Sequence, residues 1–213
     1  MEIFRFIFSP IDVNTYIVAD SSGDCAIIDC GCYNDAEFEE FTSFIKEKGL
    51  NPVLLLNTHC HLDHIFGNKY LLKRYNLRAL SHENEEMNRK NGPQHAVIFG
   101  LSMEMTPAPE RFIVDNEVIK FCSTDLKALH VPGHSAGGLA FYSEKDGYVF
   151  SGDALFAGSI GRTDLPGGDF ETLINSIKNK LFSLPGSTLV YAGHGGETTI
   201  EKEIRTNPWF NMT

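Results

Sequence analysis

The chain has 213 residues, 42% hydrophobic and 22% charged, with 28 Asp and Glu against 18 Lys and Arg for a formal net charge of -10. That length suits one sizeable core, and the acidic balance argues against the basic face that nucleic-acid binding needs. No apolar run approaches the roughly 18 residues of a membrane span, and the opening Met1-Glu2-Ile3-Phe4-Arg5-Phe6 reads as a strand rather than a signal peptide.

In chain order, residues 2–8, 15–20 and 24–29 are apolar and β-branched and read as strands, separated by Ser9-Pro10 and Ser21-Ser22-Gly23-Asp24 turns. Residues 34–48 read as a helix with Asn34 as N-cap, Phe38, Phe41, Phe44 and Ile45 at helical spacing, and Gly49 as its end. The short apolar run Val53-Leu54-Leu55-Leu56 suits a strand buried on both faces. A polar loop is expected at 57–66 and a helix at 67–75, while 82–112 reads as irregular, broken by Gly92-Pro93 and Pro107-Ala108-Pro109. Strands resume at 117–121, 126–131, 138–143 and 147–151, followed by a helix near 170–182 and a strand near 188–192. Strand meanders alternating with helices imply an α/β protein with two mixed sheets between helices, in one domain over residues 1–213.

The five cysteines, Cys25, Cys30, Cys32, Cys60 and Cys122, show no framework spacing and read as reduced thiols of a cytoplasmic protein. Cys30 and Cys32, one residue apart, lack the usual zinc or thioredoxin spacing and read as structural. Cys60 lies between two histidines, and strand alternation turns it away from them.

The strongest chemical signal is Thr58-His59-Cys60-His61-Leu62-Asp63-His64, directly after the apolar strand. In an extended chain His59, His61 and Asp63 project to one side, with His64 turning to a neighbouring position; on a helix His59 and His61 would point roughly 200° apart. Four such side chains packed together are costly to bury without a cation, and imidazole with carboxylate is the donor set zinc favours. Two ions need further ligands. His134 in Val131-Pro132-Gly133-His134-Ser135, Asp153 in Ser151-Gly152-Asp153 and His194 in Ala192-Gly193-His194-Gly195 supply them, each flanked by glycine at a strand end. Taken singly, each also reads as an ordinary turn or hydrogen-bonded residue.

These residues resemble the metallo-β-lactamase superfamily over about residues 3–210. The likeness is strongest to glyoxalase II, the hydroxyacylglutathione hydrolases, in their short bacterial form. Further stretches that carry it are Gly133-His134-Ser135-Ala136-Gly137-Gly138, Ser151-Gly152-Asp153-Ala154-Leu155-Phe156, Gly161-Arg162-Thr163-Asp164-Leu165-Pro166 and Asn207-Pro208. The resemblance implies a four-layer αββα sandwich with the site at the sheet edges. It implies one ion held by His59, His61 and His134, a second by Asp63, His64 and His194, and Asp153 bridging them. It also makes Asp29 an acid standing behind the ligands. The ordinary reading of Asp29, a turn residue ending a strand, fits the sequence equally.

The implied activity is hydrolysis of a small-molecule thioester, an S-acylglutathione such as S-lactoylglutathione, by a hydroxide shared between two divalent ions. Zinc leads, with iron and manganese also compatible. Asp63 would ligate and orient the hydroxide. Arg162 is expected to meet a substrate carboxylate, with a surface ion pair as the alternative. The chain departs from glyoxalase II in three places. It is expected to lack the C-terminal glutathione-binding helical extension, Gly161-Arg162-Thr163-Asp164 replaces a Lys and a Tyr, and Gly195-Gly196-Glu197 replaces a Tyr after the last histidine. A persulfide dioxygenase-like oxidoreductase with one iron on His59, His134 and Asp153 is the first alternative; a lactonase or other ester hydrolase and a non-catalytic metal-binding protein are the others.

Overall fold

The computed structural model describes residues 1–121 and 123–211, so Cys122 lies outside the described residues. Its first half builds one six-stranded sheet in the order β1 (Glu2–Phe8), β2 (Val13–Ala19), β3 (Asp24–Ile28), β4 (Asn51–Leu56), β5 (Ala79–Ser81), β6 (Arg111–Phe112). The first three strands pair antiparallel and the rest parallel, so the sheet is mixed. Two helices, α1 (Asp35–Glu47) and α3 (Asn68–Tyr75), serve as parallel crossovers. Asn34 caps α1 by accepting from the Glu37 amide, as its sequence position implied.

The second half builds a sheet from β7 (Val118–Phe121), β8 (Thr124–His130), β9 (Leu139–Ser143), β10 (Tyr148–Gly152), β13 (Leu189–Ala192) and β14 (Thr198–Thr199). It is antiparallel except where β10 and β13 run parallel. A small hairpin of β11 (Leu155–Phe156) and β12 (Ser159–Ile160) follows the fourth of those strands.

Alternation within the strands makes the layers. Tyr16, Val18, Ala26 and Ile28 turn to one face and pack against Leu126, Ala128, Phe141 and Phe150 of the other sheet. Ile17, Ala19, Cys25 and Ile27 turn to the opposite face and meet Phe38, Phe41 and Ile45 of α1. On the far side Ala140, Tyr142, Val149 and Val190 meet α5 (Phe170–Ser176) and α6 (Ile200–Thr206) through Leu173, Ile174 and Ile200. The result is helix, sheet, sheet, helix: the αββα sandwich. Cys30 and Cys32 sit in the first helix–sheet core, which matches a structural reading of both.

Two expectations need correction. The stretch 57–66 is not wholly a loop, because α2 (Leu62–Ile65) is one helical turn that starts just after His61. Asp63 and His64 therefore ride on a helix, and only residues 59–61 keep the extended spacing. Residues 82–112 are irregular only over 99–110. A 3-10 turn at Glu83–Glu85 leads into α4 (Glu86–Ile98), which runs through Pro93. The buried face of α4 is Asn88, Arg89, Gly92 and Ala96, so helical spacing is present without the apolar residues that reveal it. No helix among the described residues is long and apolar enough to cross a membrane.

Candidate metal centre

One rim of the sandwich collects the ends of four strands and the single turn of α2. The segment after β4 brings His59 and His61, α2 brings Asp63 and His64, and the segments after β8, β10 and β13 bring His134, Asp153 and His194. Gly193 is required by this crowding: a Cβ there would strike Asp153 Oδ1, with His64 Cε1 at 2.7 Å. Gly152 holds a left-handed φ of 51° that turns the chain from β10 into Asp153.

All seven residues named from the sequence converge. Ligand atoms of His59, His61 and His134 lie within 4.8 Å of one another, as do those of Asp63, His64 and His194, and those of His59, His64 and Asp153. His134 Nε2 is 2.8 Å from His61 Nδ1 and 3.2 Å from His59 Nε2. His194 Nε2 is 3.1 Å from Asp63 Oδ2. Asp153 stands between the groups, with Oδ1 3.4 Å from His64 Nε2 and Oδ2 3.6 Å from His134 Nε2 and 3.5 Å from His194 Nε2.

The hydrogen bonds behind the rings fix which way the lone pairs point. His134 Nδ1 donates to the Arg162 carbonyl at 2.7 Å, and His194 Nδ1 donates to the Asp12 carbonyl at 3.1 Å. His64 Nδ1 donates to Asp29 Oδ2 at 2.9 Å. The Thr58 hydroxyl gives its proton to Asp29 Oδ2 at 2.6 Å, so it accepts from His59 Nδ1 at 3.1 Å. Four imidazoles thus present Nε2 lone pairs to a common centre, beside two carboxylates. His64 Nε2 and Asp153 Oδ1 are buried there and make no hydrogen bond among the described residues. So many nitrogen and carboxylate donors can converge only around positive charge, and a divalent cation is a group that satisfies them together; the donor set fits one.

Charge is divided unevenly across the protein groups of the centre. Burial pushes His59 well below its ordinary pKa, helped by the neighbouring histidines. Burial and His134 push His61 down to about 4. At His64 burial works the other way from the carboxylates of Asp153, Asp63 and Asp29, which win and hold it well above its ordinary value. His194 is raised likewise: burial is outweighed by its hydrogen bond to Asp63 and the charge of Asp153. For Asp63 and Asp153, burial is overcome chiefly by His64, and both carboxyls are held below their usual range.

Asp29 occupies the place expected of it. It takes up the Thr58 amide at 2.8 Å as well as the Thr58 hydroxyl and His64 Nδ1, from a left-handed backbone with φ of 52°. Arg162 lines the cavity above the centre, but its guanidinium is held by both oxygens of Asp164 at 2.7 Å. What Arg162 gives the centre directly is its backbone carbonyl.

Three supporting residues escaped the sequence reading. Glu85 is fully buried and accepts from the Cys60 amide at 2.8 Å, the Gly137 amide at 2.7 Å and Asn88 Nδ2 at 2.9 Å, tying the two histidine-bearing loops together. Cys60 itself is buried and belongs to none of the converging donor groups, its thiol pushed up by burial. Asn14 donates through Nδ2 to the carbonyls of Ala192 at 2.9 Å and Gly195 at 3.0 Å, and the Tyr16 hydroxyl also donates to Ala192 at 2.7 Å. Together Asn14 and Tyr16 hold the loop that carries His194. The polar pair Asn14-Thr15 inside a wholly buried strand was the available signal.

A cavity of about 450 Å³ opens over the centre, with His61, Asp63, His134, Asp153 and His194 at its floor. The family model of the metallo-beta-lactamase superfamily matches residues 9–194. Two relatives are 38% identical. One is the probable metallo-hydrolase YqgX of Bacillus subtilis, over 97% of this chain and 96% of the relative. The other is the hydroxyacylglutathione hydrolase GloC of Haemophilus influenzae, over 93% and 92%. Among solved structures, BLEG-1 B3 metallo-beta-lactamase superposes with a TM-score of 0.91 at 31% identity, covering 99% of this chain and 100% of that one. TTHA1623 in a di-iron-bound form superposes with a TM-score of 0.87 at 35% identity, covering 97% and 99%. Fold, converging donors and family match agree, and the chain belongs to the metallo-beta-lactamase superfamily as a metal-dependent hydrolase.

Proposed function

We propose that the protein hydrolyses a small-molecule thioester, an S-acylglutathione such as S-lactoylglutathione, with two divalent ions at the floor of its cavity. The observation that carries this reading is the pair of donor groups spanned by Asp153, with four imidazole lone pairs fixed inward by hydrogen bonds behind the rings. His59, His61 and His134 would hold one ion, Asp63, His64 and His194 the other, with Asp153 shared. When bound, such ions lower the pKa of a coordinated water towards about 7 and polarise a carbonyl oxygen.

The chain's own residues supply position and dryness. Asp63 is set beside His194 and opens onto the cavity, where its carboxylate accepts a hydrogen bond from the attacking water and orients it. The water oxygen adds to the carbonyl carbon, the carbon–sulfur bond breaks, and the products are a carboxylate, a thiol and one released proton. No serine or cysteine nucleophile is required. Glutathione as the thiol carrier is supported by the Haemophilus influenzae relative, named a hydroxyacylglutathione hydrolase. Zinc suits the nitrogen and oxygen donors, and the di-iron form of TTHA1623 supports iron as a second occupant. A single iron on His59, His134 and Asp153 accounts for less, because it leaves Asp63, His64 and His194 converged without an occupant.

The test is Asp153→Ala. The variant is expected to lose bound metal and thioester hydrolysis together. A variant that retained both would overturn the two-ion reading.

A further inference from the structure

Above the His and Asp floor the cavity wall is apolar except for His95 and Arg162. Ile11 comes from the β1–β2 connection, Ile98 and Phe99 from the C-terminal end of α4, Phe156 from β11, and Leu165 and Pro166 from the segment before α5. The end of α4 is the unusual part. This helix buries Asn88, Arg89, Gly92 and Ala96 and leaves Ile98 77% and Phe99 49% exposed, the reverse of an ordinary surface helix. Contiguous apolar side chains held out to solvent beside a reaction floor form a binding surface.

The charges point the same way. Among the described residues lining the cavity, Arg162 is the only basic side chain apart from histidines, and its fork is engaged by Asp164. The wall therefore offers no uncommitted Lys or Arg to the two carboxylates of glutathione, and it offers an extended apolar surface to whatever is joined to the reacting carbonyl.

We infer that the cavity selects an apolar acyl group, aliphatic or aromatic and longer than lactoyl, and that the charged thiol carrier projects out into solvent. This rests on the thioester hydrolase reading above and revises its substrate class, setting longer apolar acyl groups ahead of lactoyl and the acyl group ahead of glutathione. Ile98 and Phe99 grip the acyl chain, and the carrier contributes little to recognition.

The experiment measures kcat/KM of the metal-loaded full chain on acetyl, lactoyl, butanoyl and octanoyl thioesters. Each is prepared both on glutathione and on the uncharged thiol N-acetylcysteamine. Full burial of one methylene is worth about fourfold, so with partial burial kcat/KM should rise at least about tenfold from acetyl to octanoyl on both carriers. Lactoyl should fall below butanoyl. Ile98→Asp, at an exposed position where folding tolerates charge, should cut the octanoyl-to-acetyl ratio at least about fivefold with Tm unchanged. Hydrolysis with a flat profile, or with lactoyl-glutathione preferred, overturns the acyl-group inference and leaves the thioesterase standing. Failure to hydrolyse any thioester on either carrier overturns the thioesterase, and the inference with it.

Discussion

Asp29 stands directly behind His64: its Oδ2 accepts the His64 Nδ1–H at 2.9 Å while the same carboxylate takes the Thr58 amide and hydroxyl. One acid therefore sets the tautomer of His64 and, through Thr58, that of His59. Such outer partners typically govern metal affinity by 10–100-fold. Asp29→Asn keeps a residue type that tolerates the left-handed backbone but gives up the charged acceptor. Metal affinity should fall by about tenfold or more with the fold intact, read as metal retained against graded chelator. Retention equal to the unaltered protein would remove Asp29 from this role.

Glu85 joins the His59–His64 segment to the loop after His134 from a position with no exposure to water. Glu85→Ala leaves three buried N–H donors without an acceptor, which should cost about 3 kcal/mol or more of stability. Glu85→Gln keeps one acceptor oxygen and should cost about 1 kcal/mol. Urea denaturation of the metal-loaded protein gives both numbers; equal losses for the two variants would contradict the clamp.

Acid should empty the two donor groups in order. His64 and His194 have raised pKa values, so protons compete with metal there already near neutral pH. His61 is pushed down to about 4 and His59 is lowered too, so protons compete for these two rings only at much lower pH. Falling pH therefore displaces the ion at Asp63, His64 and His194 before the ion that His59 and His61 help to hold. Metal per chain after equilibration from pH 8 to pH 4 should show an intermediate plateau near one ion. Simultaneous loss of both ions would contradict the uneven charge.

Gly193→Ala would set a methyl group against Asp153 Oδ1 and His64. Displacement of a reacting group by about 1 Å costs on the order of a hundredfold in rate. Hydrolysis should fall by about that factor, with metal occupancy reduced and the circular dichroism spectrum preserved. Full activity in this variant would show that the backbone there has room to give.

The cluster at residues 59–64 was legible because its donors lie within six positions and directly follow an apolar strand. His134, Asp153 and His194 became legible through their likeness to a known ligand order. The sheets could be read because strands such as Asp24–Ile28 carry apolar residues on both faces, as burial between a helix layer and a second sheet demands. α4 was hidden because its inner face is Asn88, Arg89, Gly92 and Ala96. Glu85 was hidden for another reason: its partners are backbone amides 25 and 52 residues away, and backbone amides leave no mark in a sequence. For Arg162 the residue type left two readings open, a substrate carboxylate or a surface ion pair, and its guanidinium is paired with Asp164 two residues on.

The most direct measurement is metal content per chain on protein purified without a metal-binding tag, followed on the same sample by thioester hydrolysis. The account predicts close to two divalent ions per chain and turnover that disappears when chelator removes them and returns when they are restored. A single iron per chain with no thioester turnover would contradict it, and would leave His59, His134 and Asp153 as the reacting set.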